Sequence, residues 1–249
     1  MKVAIITGAS RGIGNSAARA LGNRGVGVIA TYNSHKPGAD ALVAEIERAG
    51  GTAVALKLTV GDIASLPDFV TQVARSLRAK WQRDSFDYLV NNAGSGSFTP
   101  FADVSEQEYE VLHGVHLKGP FFLTQKLLPL LAEGGAIVNV TSATTRVATV
   151  GVAPYASFKA GLETLTRYLA KELGGRQIRA NSVSPGAIRT DLGGGLDGAP
   201  ELARMLAGQT ALGRVGEPED VGRVIASLLS DDNRWINAES IEVSGGYCI

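Results

Sequence analysis

Short apolar runs near 2–7, 27–32, 53–58, 87–91, 136–141, 179–184 and 240–243 alternate with amphipathic stretches near 13–24, 39–49, 65–80, 105–131, 153–173 and 218–230. Few patterns restrict a fold more tightly. The runs have the length and β-branched content of strands buried on both faces, and the stretches between them carry the apolar period of helices. Regular alternation predicts an α/β fold in one domain: a doubly wound sheet of seven parallel strands, flanked by helices on both faces and joined by right-handed crossovers. Ligands of such sheets sit at the carboxyl ends of the strands. Ser105 with Glu108 reads as a capping box, and Pro218 suits the first turn of the last long helix.

With 249 residues the chain can bury a sizeable core but has no room for a second domain. Lys plus Arg and Asp plus Glu each number 24, without blocks of like charge, which argues against nucleic acid or an anionic membrane as main partner. The single cysteine, Cys248, excludes an internal disulfide, suits a reducing compartment and reads as a small residue near the C-terminus. The first strand begins at residue 2 and no apolar run reaches membrane-spanning length, so neither signal peptide nor span is expected and the location reads as cytoplasmic. No His, Cys, Asp or Glu set has metal-ligand spacing, so no metal is expected.

The first run passes directly into Gly8, Ala9, Ser10, Arg11, Gly12, Ile13 and Gly14, and then into a helix. Glycines there let the backbone turn tightly and let a pyrophosphate approach exposed N–H groups, where a helix N-terminus adds partial positive charge. The spacing is GxxxGxG; a glycine turn with no ligand is the plainer alternative. Further on, Tyr155 and Lys159 stand at i and i+4 of a predicted helix, so both side chains leave one face. A nearby ammonium favours phenolate and draws the tyrosine pKa from about 10 toward neutrality, where a general acid or base is most useful. Ser142, thirteen residues upstream of Tyr155, is placed to hold a carbonyl or hydroxyl oxygen beside the phenol. Alone, the spacing also fits a surface pair.

Taken together, TGASRGIG at Thr7 to Gly14, NNAG at Asn91 to Gly94, Ser142 with Tyr155 and Lys159, and PGAIRT at Pro185 to Thr190 make the chain resemble the short-chain dehydrogenase/reductase family. The motifs are co-linear from Val3 to Gly246, and the overall look is similar to the 3-oxoacyl-acyl-carrier-protein reductase branch. The resemblance implies a Rossmann-type fold and hydride transfer between a nicotinamide and a ketone or secondary alcohol. Tyr155 would be the general acid/base, Ser142 would position the oxygen, and Lys159 would lower the phenol pKa and bind the ribose. Nucleotide contacts are implied for Gly8, Ser10, Arg11, Gly12, Ile13 and Gly14; for Tyr32, Asn33 and Ser34; for Thr59 and Val60; and for Asn91, Ala93 and Gly94. Pro185, Gly186, Ile188 and Thr190 would hold the nicotinamide end, with Tyr155 and Lys159 beneath it. Asn91 or Asn92 can equally be turn residues satisfying backbone groups.

An acidic residue ending the second strand would favour NAD by binding the ribose and repelling a 2′-phosphate. This chain has Ala30, Thr31, Tyr32, Asn33, Ser34, His35 and Lys36 there. With no carboxylate present, and with Arg11, Asn33, Ser34 or Lys36 able to bond a phosphate, the reading is NADP (NADPH) in preference to NAD. The chain departs from the family at Thr59, usually an aspartate, and at His116, where VHLKG replaces VNLKG and its catalytic asparagine. In the family that asparagine's main-chain carbonyl is thought to hold a relay water, so the relay can survive the replacement; His116 reads either as support for a helix bend or as a participant in proton traffic.

Pocket candidates Ser95, Gly96, Ser97, Thr144, Val147, Val152, Ala187, Leu192 and Leu196 are mixed and mostly small. The glycine-rich DLGGGLDG at 191–198 opens an expected substrate lid near 191–212, with a passive loop as the alternative. The expected partner is a small-molecule carbonyl or alcohol. The family further implies a homo-oligomer, tetramer or dimer, through the helices near 105–131 and 153–173 and the C-terminal segment. A catalytically silent NADP-binding regulator of the same fold is the reading from another class.

Overall fold

The computed structural model describes residues 1–196 and 198–249. Strands β1 (Val3–Ile6), β2 (Gly27–Tyr32), β3 (Ala53–Lys57), β4 (Phe86–Asn91), β5 (Leu131–Val140), β6 (Arg179–Pro185) and β7 (Ser240–Val243) form one parallel sheet in the order β3-β2-β1-β4-β5-β6-β7. Successive side chains of a strand point to opposite faces. Ala4 and Ile6 of β1 therefore join one core, with α1 (Gly12–Gly22), α2 (Lys36–Arg48) and α8 (Pro218–Leu228), and Val3 and Ile5 join the other, with α3 (Leu66–Trp81), α5 (Gly119–Leu127) and α6 (Ala153–Glu172). Because β1 lies between β2 and β4, the chain winds outward in both directions from it, and the crevice this creates opens beside the glycine turn. No helix among the described residues is long and apolar enough to cross a membrane.

A buried polar chain fixes α6 against the sheet. Asn91 Nδ2 donates to Thr124 Oγ1 at 3.1 Å and to Asn139 Oδ1 at 2.8 Å; Asn139 Nδ2 donates to Thr166 Oγ1 at 2.8 Å. These bonds run from β4 through α5 and β5 to the middle of α6. Each contributes about 1 kcal/mol net, while stranding a buried donor costs about 1–3 kcal/mol, so the arrangement discriminates strongly against misplacement of α6.

Three differences from the sequence reading have identifiable causes. The helix expected over 105–131 is broken into α4 (Glu106–His113), a widened turn over Gly114–Lys118 in which Gly119 N–H reaches Gly114 O, and α5. Pro120 has no N–H to donate to the His116 carbonyl one turn back, and a Cβ on Gly119 would lie 2.5 Å from both Gly114 O and Val60 O. The strand expected at 136 begins at Leu131, which pairs with Phe86 across an irregularity in the register. Ser105 makes only half of a capping box: its Oγ accepts from Glu108 N at 3.1 Å, but the Glu108 carboxylate turns to Ser97 Oγ instead. The complete box caps α8, between Glu217 and Asp220, with Pro218 in the first turn as expected. Within 191–212 the chain forms a tight turn at Leu192–Gly194 and a helix, α7 (Pro200–Gly208), that sequence periodicity missed; Asp197 lies outside the described residues.

Helices α1 and α8 pack so closely that a Cβ on Gly222 would lie 2.4 Å from Ser16 Oγ and 2.7 Å from the Ala17 amide nitrogen. Alanine has the better helix propensity by about 1 kcal/mol, but backbone cannot yield as a side-chain tip can. Gly222→Ala is expected to lower unfolding free energy by about 1–3 kcal/mol in urea titrations; a gain would show that the helices separate freely.

Candidate active site

The turn after β1 owes its shape to two glycines. Gly8 has φ +65°, and a Cβ there would stand 2.9 Å from Ala93 Cα; one on Gly14 would stand 2.4 Å from Asn92 Nδ2. The turn therefore presses against the NNAG segment, whose Asn92 Nδ2 donates to Thr7 O at 2.9 Å. Helix α1 then begins with no side-chain cap from Arg11 and no acidic residue in its first turn. Its leading N–H groups and partial positive charge are left for an anion, which fits a nucleotide pyrophosphate.

A cleft of about 1490 Å³ opens over this turn. Its wall gathers Gly8, Ser10, Arg11, Gly12 and Ile13; Asn33 and Ser34; Thr59 and Val60; Ala93 and Gly94; Pro185, Gly186, Ile188 and Thr190; and Ser142, Tyr155, Lys159 and His116. Four residues singled out from the sequence are not in that wall. Gly14 is in the close packing just described, Asn91 is committed to the buried polar chain, and Tyr32 ends β2 beside the cleft. Lys36 is likewise outside the wall and pairs with Asp40 at 2.6 Å. At the β2 end no carboxylate follows the strand; Thr59 Oγ1 donates to Asn33 Oδ1 at 3.0 Å, and Arg11 faces Asp191 at 3.4 Å. All nine pocket candidates named from the sequence line the cleft.

At its floor, Lys159 is only 4% exposed and donates to Val140 O at 2.7 Å, with Nζ 5.6 Å from the Tyr155 ring centroid. Ser142 Oγ accepts from Thr144 N at 3.2 Å and from Thr144 Oγ1 at 2.9 Å. With its lone pairs so engaged, the Ser142 hydroxyl has its proton to give to an oxygen in the cleft. The phenol pKa is not drawn down as the spacing suggested: burial pushes Tyr155 up against an opposing hydrogen bond from Ser142, and burial pulls Lys159 down to about 7. Desolvation outweighs attraction here, and the ammonium points at a carbonyl.

His116 is buried, with Nε2 2.7 Å from Ser95 O, so that nitrogen carries the proton. Its ring stands edge-on to Tyr155, centroids 4.8 Å apart and planes at 83°. Among the described residues its Nδ1 and Ser95 Oγ have no hydrogen-bond partner. Burial, then the charge of Lys159, pull its pKa down to about 3, which keeps the imidazole neutral through the working range.

A family model described as "Enoyl-(Acyl carrier protein) reductase" matches residues 8–248. The chain belongs to the short-chain dehydrogenase/reductase family. It is 39% identical over 247 residues to an uncharacterized oxidoreductase of Methylorubrum extorquens, covering 98% of this chain and 97% of the relative. It is 33% identical to the trihydroxynaphthalene reductase of Colletotrichum orbiculare, covering 100% and 90%. Among solved structures, the angucycline C-6 ketoreductase LanV with bound NADP superposes with a TM-score of 0.95 at 34% identity, covering 99% of this chain and 95% of that one. As a short-chain dehydrogenase/reductase the chain is an NAD(P)-dependent oxidoreductase acting on carbonyl or alcohol groups.

Sequence reasoning missed part of the outer wall of the cleft, where Phe98, Val150, Leu202, Met205, Tyr247 and Cys248 lie. Cys248, read as a mere terminal residue, is among them. No local motif marks these positions; only the fold brings them in.

The His116 shift has a consequence for stability. The unfolded imidazole titrates near its ordinary value of 6.5 and the folded one near 3, so between these the unfolded chain binds more protons. Stability is full above about 6.5 and is lost as pH falls toward 3. His116→Asn is expected to flatten that slope by up to one proton in denaturation curves taken across pH 3 to 7; an unchanged slope would mean the imidazole is solvated.

Proposed function

We propose that this short-chain dehydrogenase/reductase is an NADPH-dependent ketoreductase in which Tyr155 gives the proton to the substrate oxygen. The observation that carries this reading is the convergence, in one cleft, of a serine hydroxyl whose oxygen is held by Thr144 and whose proton faces the phenol, that phenol above a buried lysine, and an uncapped helix N-terminus behind a glycine turn. The amides around Gly12 and Ile13 would hold the pyrophosphate. Arg11, Asn33 and Ser34 would bond a 2′-phosphate, which the lack of a carboxylate after β2 leaves unopposed, and LanV, a relative of the same fold, binds NADP. Bound there, the reduced nicotinamide supplies the hydride.

The protein's own part is then positional and protonic. Ser142 donates to the carbonyl oxygen and polarises it; Tyr155 passes its proton to that oxygen as charge develops. The phenolate left behind is stabilised by Lys159, whose pKa of about 7 suits both holding a proton and handing it on. Neutral His116 braces the Tyr155 ring from the side. In the alcohol-oxidising direction each proton movement reverses. The names of the reductase relatives favour ring carbonyls over acyl-carrier thioesters. A catalytically silent regulator would keep the glycine turn without needing the Ser142, Tyr155 and Lys159 arrangement.

Removing the phenolic hydroxyl in Tyr155→Phe should lower kcat/KM by about 10²–10⁴, the span of general acid catalysis, with NADPH affinity held within a few-fold. Ketone-dependent loss of NADPH absorbance checks it, and near-normal turnover would assign the proton to another group. For cofactor choice, two charge-assisted bonds to a 2′-phosphate are together worth about 3 kcal/mol, so kcat/KM with NADPH should exceed that with NADH by more than about tenfold. Equal use of the two nucleotides would overturn the NADP assignment.

A further inference from the structure

Beyond β7 the chain turns back on itself and is fastened on two sides. On one side it meets the stretch that follows α7: Ala211 and Leu212 donate to Gly246 O and Gly245 O at 3.1 Å each, and Cys248 N donates to Gln209 O at 2.9 Å. On the other it meets Arg146, four residues past Ser142. Arg146 donates through Nη2 to Tyr247 O at 2.7 Å and through Nη1 to Cys248 O at 3.0 Å. The same guanidinium spans both carboxylate oxygens of Glu242, Nε at 2.9 Å and Nη2 at 2.6 Å. Glu242 also accepts from Ser244 Oγ at 2.7 Å, and Tyr247 N donates to that Ser244 Oγ at 3.2 Å. One planar cation thus ties the catalytic-serine loop, β7 and the C-terminal strap together, a task its rigid fork performs and a point-charge ammonium does not.

The strap matters because Tyr247 and Cys248 line the cleft beside Leu202, Met205 and Gln209, at and just beyond α7. Arg146 itself does not line it. Among the described residues of the wall, Arg11 and Lys159 are the only Lys or Arg. Arg11 belongs to the glycine turn, where it faces Asp191 at 3.4 Å, and Lys159 is buried; the remaining charged residues of the wall, Asp62 and Glu110, are acidic.

We propose that Arg146 is a positioning residue that holds the C-terminal strap against α7 as the outer wall of the substrate site, and that this wall selects uncharged, extended apolar ketones. The proposal rests on the ketoreductase reading and names its substrate class. Anionic acyl thioesters are disfavoured because their phosphates would meet carboxylates instead of cations. Arg146 and Glu242 are substantially exposed, 42% and 33% at the side chain, so their pairing contributes little to global stability and its loss is felt in the shape of the wall.

The test uses the full-length protein with NADPH and three probes: 2-tetralone as an extended fused-ring ketone, cyclohexanone as a compact one, and acetoacetyl-CoA as an anionic one. The unaltered protein is expected to reduce 2-tetralone at least about tenfold more efficiently than acetoacetyl-CoA, and the opposite order overturns the substrate class. In Arg146→Met the KM for 2-tetralone should rise about tenfold relative to that for cyclohexanone, with kcat for 2-tetralone changed less than about twofold. Arg146→Lys should restore part of that ratio. Amide exchange should quicken at 209–212 and 244–248 in Arg146→Met. An unchanged KM ratio, or a fall in kcat alone for both ketones, overturns the strap as a selecting wall; the second result would place Arg146 in support of the Ser142 loop. If the unaltered protein oxidises NADPH with no probe, the ketoreductase reading falls and the selecting role falls with it, whereas the exchange measurement then reports the clamp by itself.

Discussion

An ammonium buried beneath a phenol is the constraint around which this molecule is organised. Lys159 is almost wholly enclosed, and it donates to the Val140 carbonyl at the end of β5. Burying a charge without full compensation is expensive, and the pKa of the lysine falls to about 7 as a result. The cost is accepted at a place where a group that protonates and deprotonates near neutrality is useful. A lysine at the surface would keep its proton throughout and pass none on.

That placement depends on rigid surroundings. Tyr155 and Lys159 ride on α6, and the amide chain from Asn91 through Asn139 to Thr166 pins this helix to the strands that carry Val140 and, just beyond, Ser142. The cofactor side is fixed by the same sheet from the other direction, because the glycine turn leaves β1 next to β4, whose end supplies the NNAG segment. Both halves of the cleft are thus hung from adjacent strand ends. Apolar packing on the two faces holds the sheet, and the few buried polar bonds decide where the helices register upon it.

Much of this was legible in the sequence because parallel strands buried on both faces read as continuous apolar runs and because the glycine turn and the Tyr155 and Lys159 pair are local in the chain. The seven strands were placed close to where they lie, save for the start of β5, where Leu131 pairs across a bulge that no periodicity reveals. Spacing put Lys159 beside Tyr155, yet it could not say that the ammonium would take the Val140 carbonyl or that desolvation would outweigh attraction. The break after His113 was written in Pro120, but a proline early in a helix also suits an ordinary first turn, and an amphipathic pattern carries across both. The Arg146 clamp left no trace at all, since Glu242 and Cys248 lie 96 and 102 residues away in the chain.

The histidine at 116 shows how a departure from a family pattern is absorbed. An asparagine side chain offers one donor and one acceptor group without titrating; an imidazole can do the same only if it stays neutral. Two features enforce that state here, enclosure in the protein and the neighbouring Lys159; the Ser95 carbonyl pulls weakly the other way but fixes the proton on Nε2. The lone pair is thereby confined to Nδ1, and the ring becomes a fixed dipole standing edge-on to the phenol. Pro120, which cannot bond the His116 carbonyl, leaves the main chain at this position without its usual helical donor, whichever side chain is present. A relay built on that carbonyl would not depend on the identity of residue 116, whereas the bracing of Tyr155 does, so the substitution alters the packing around the phenol more than the main chain beside it.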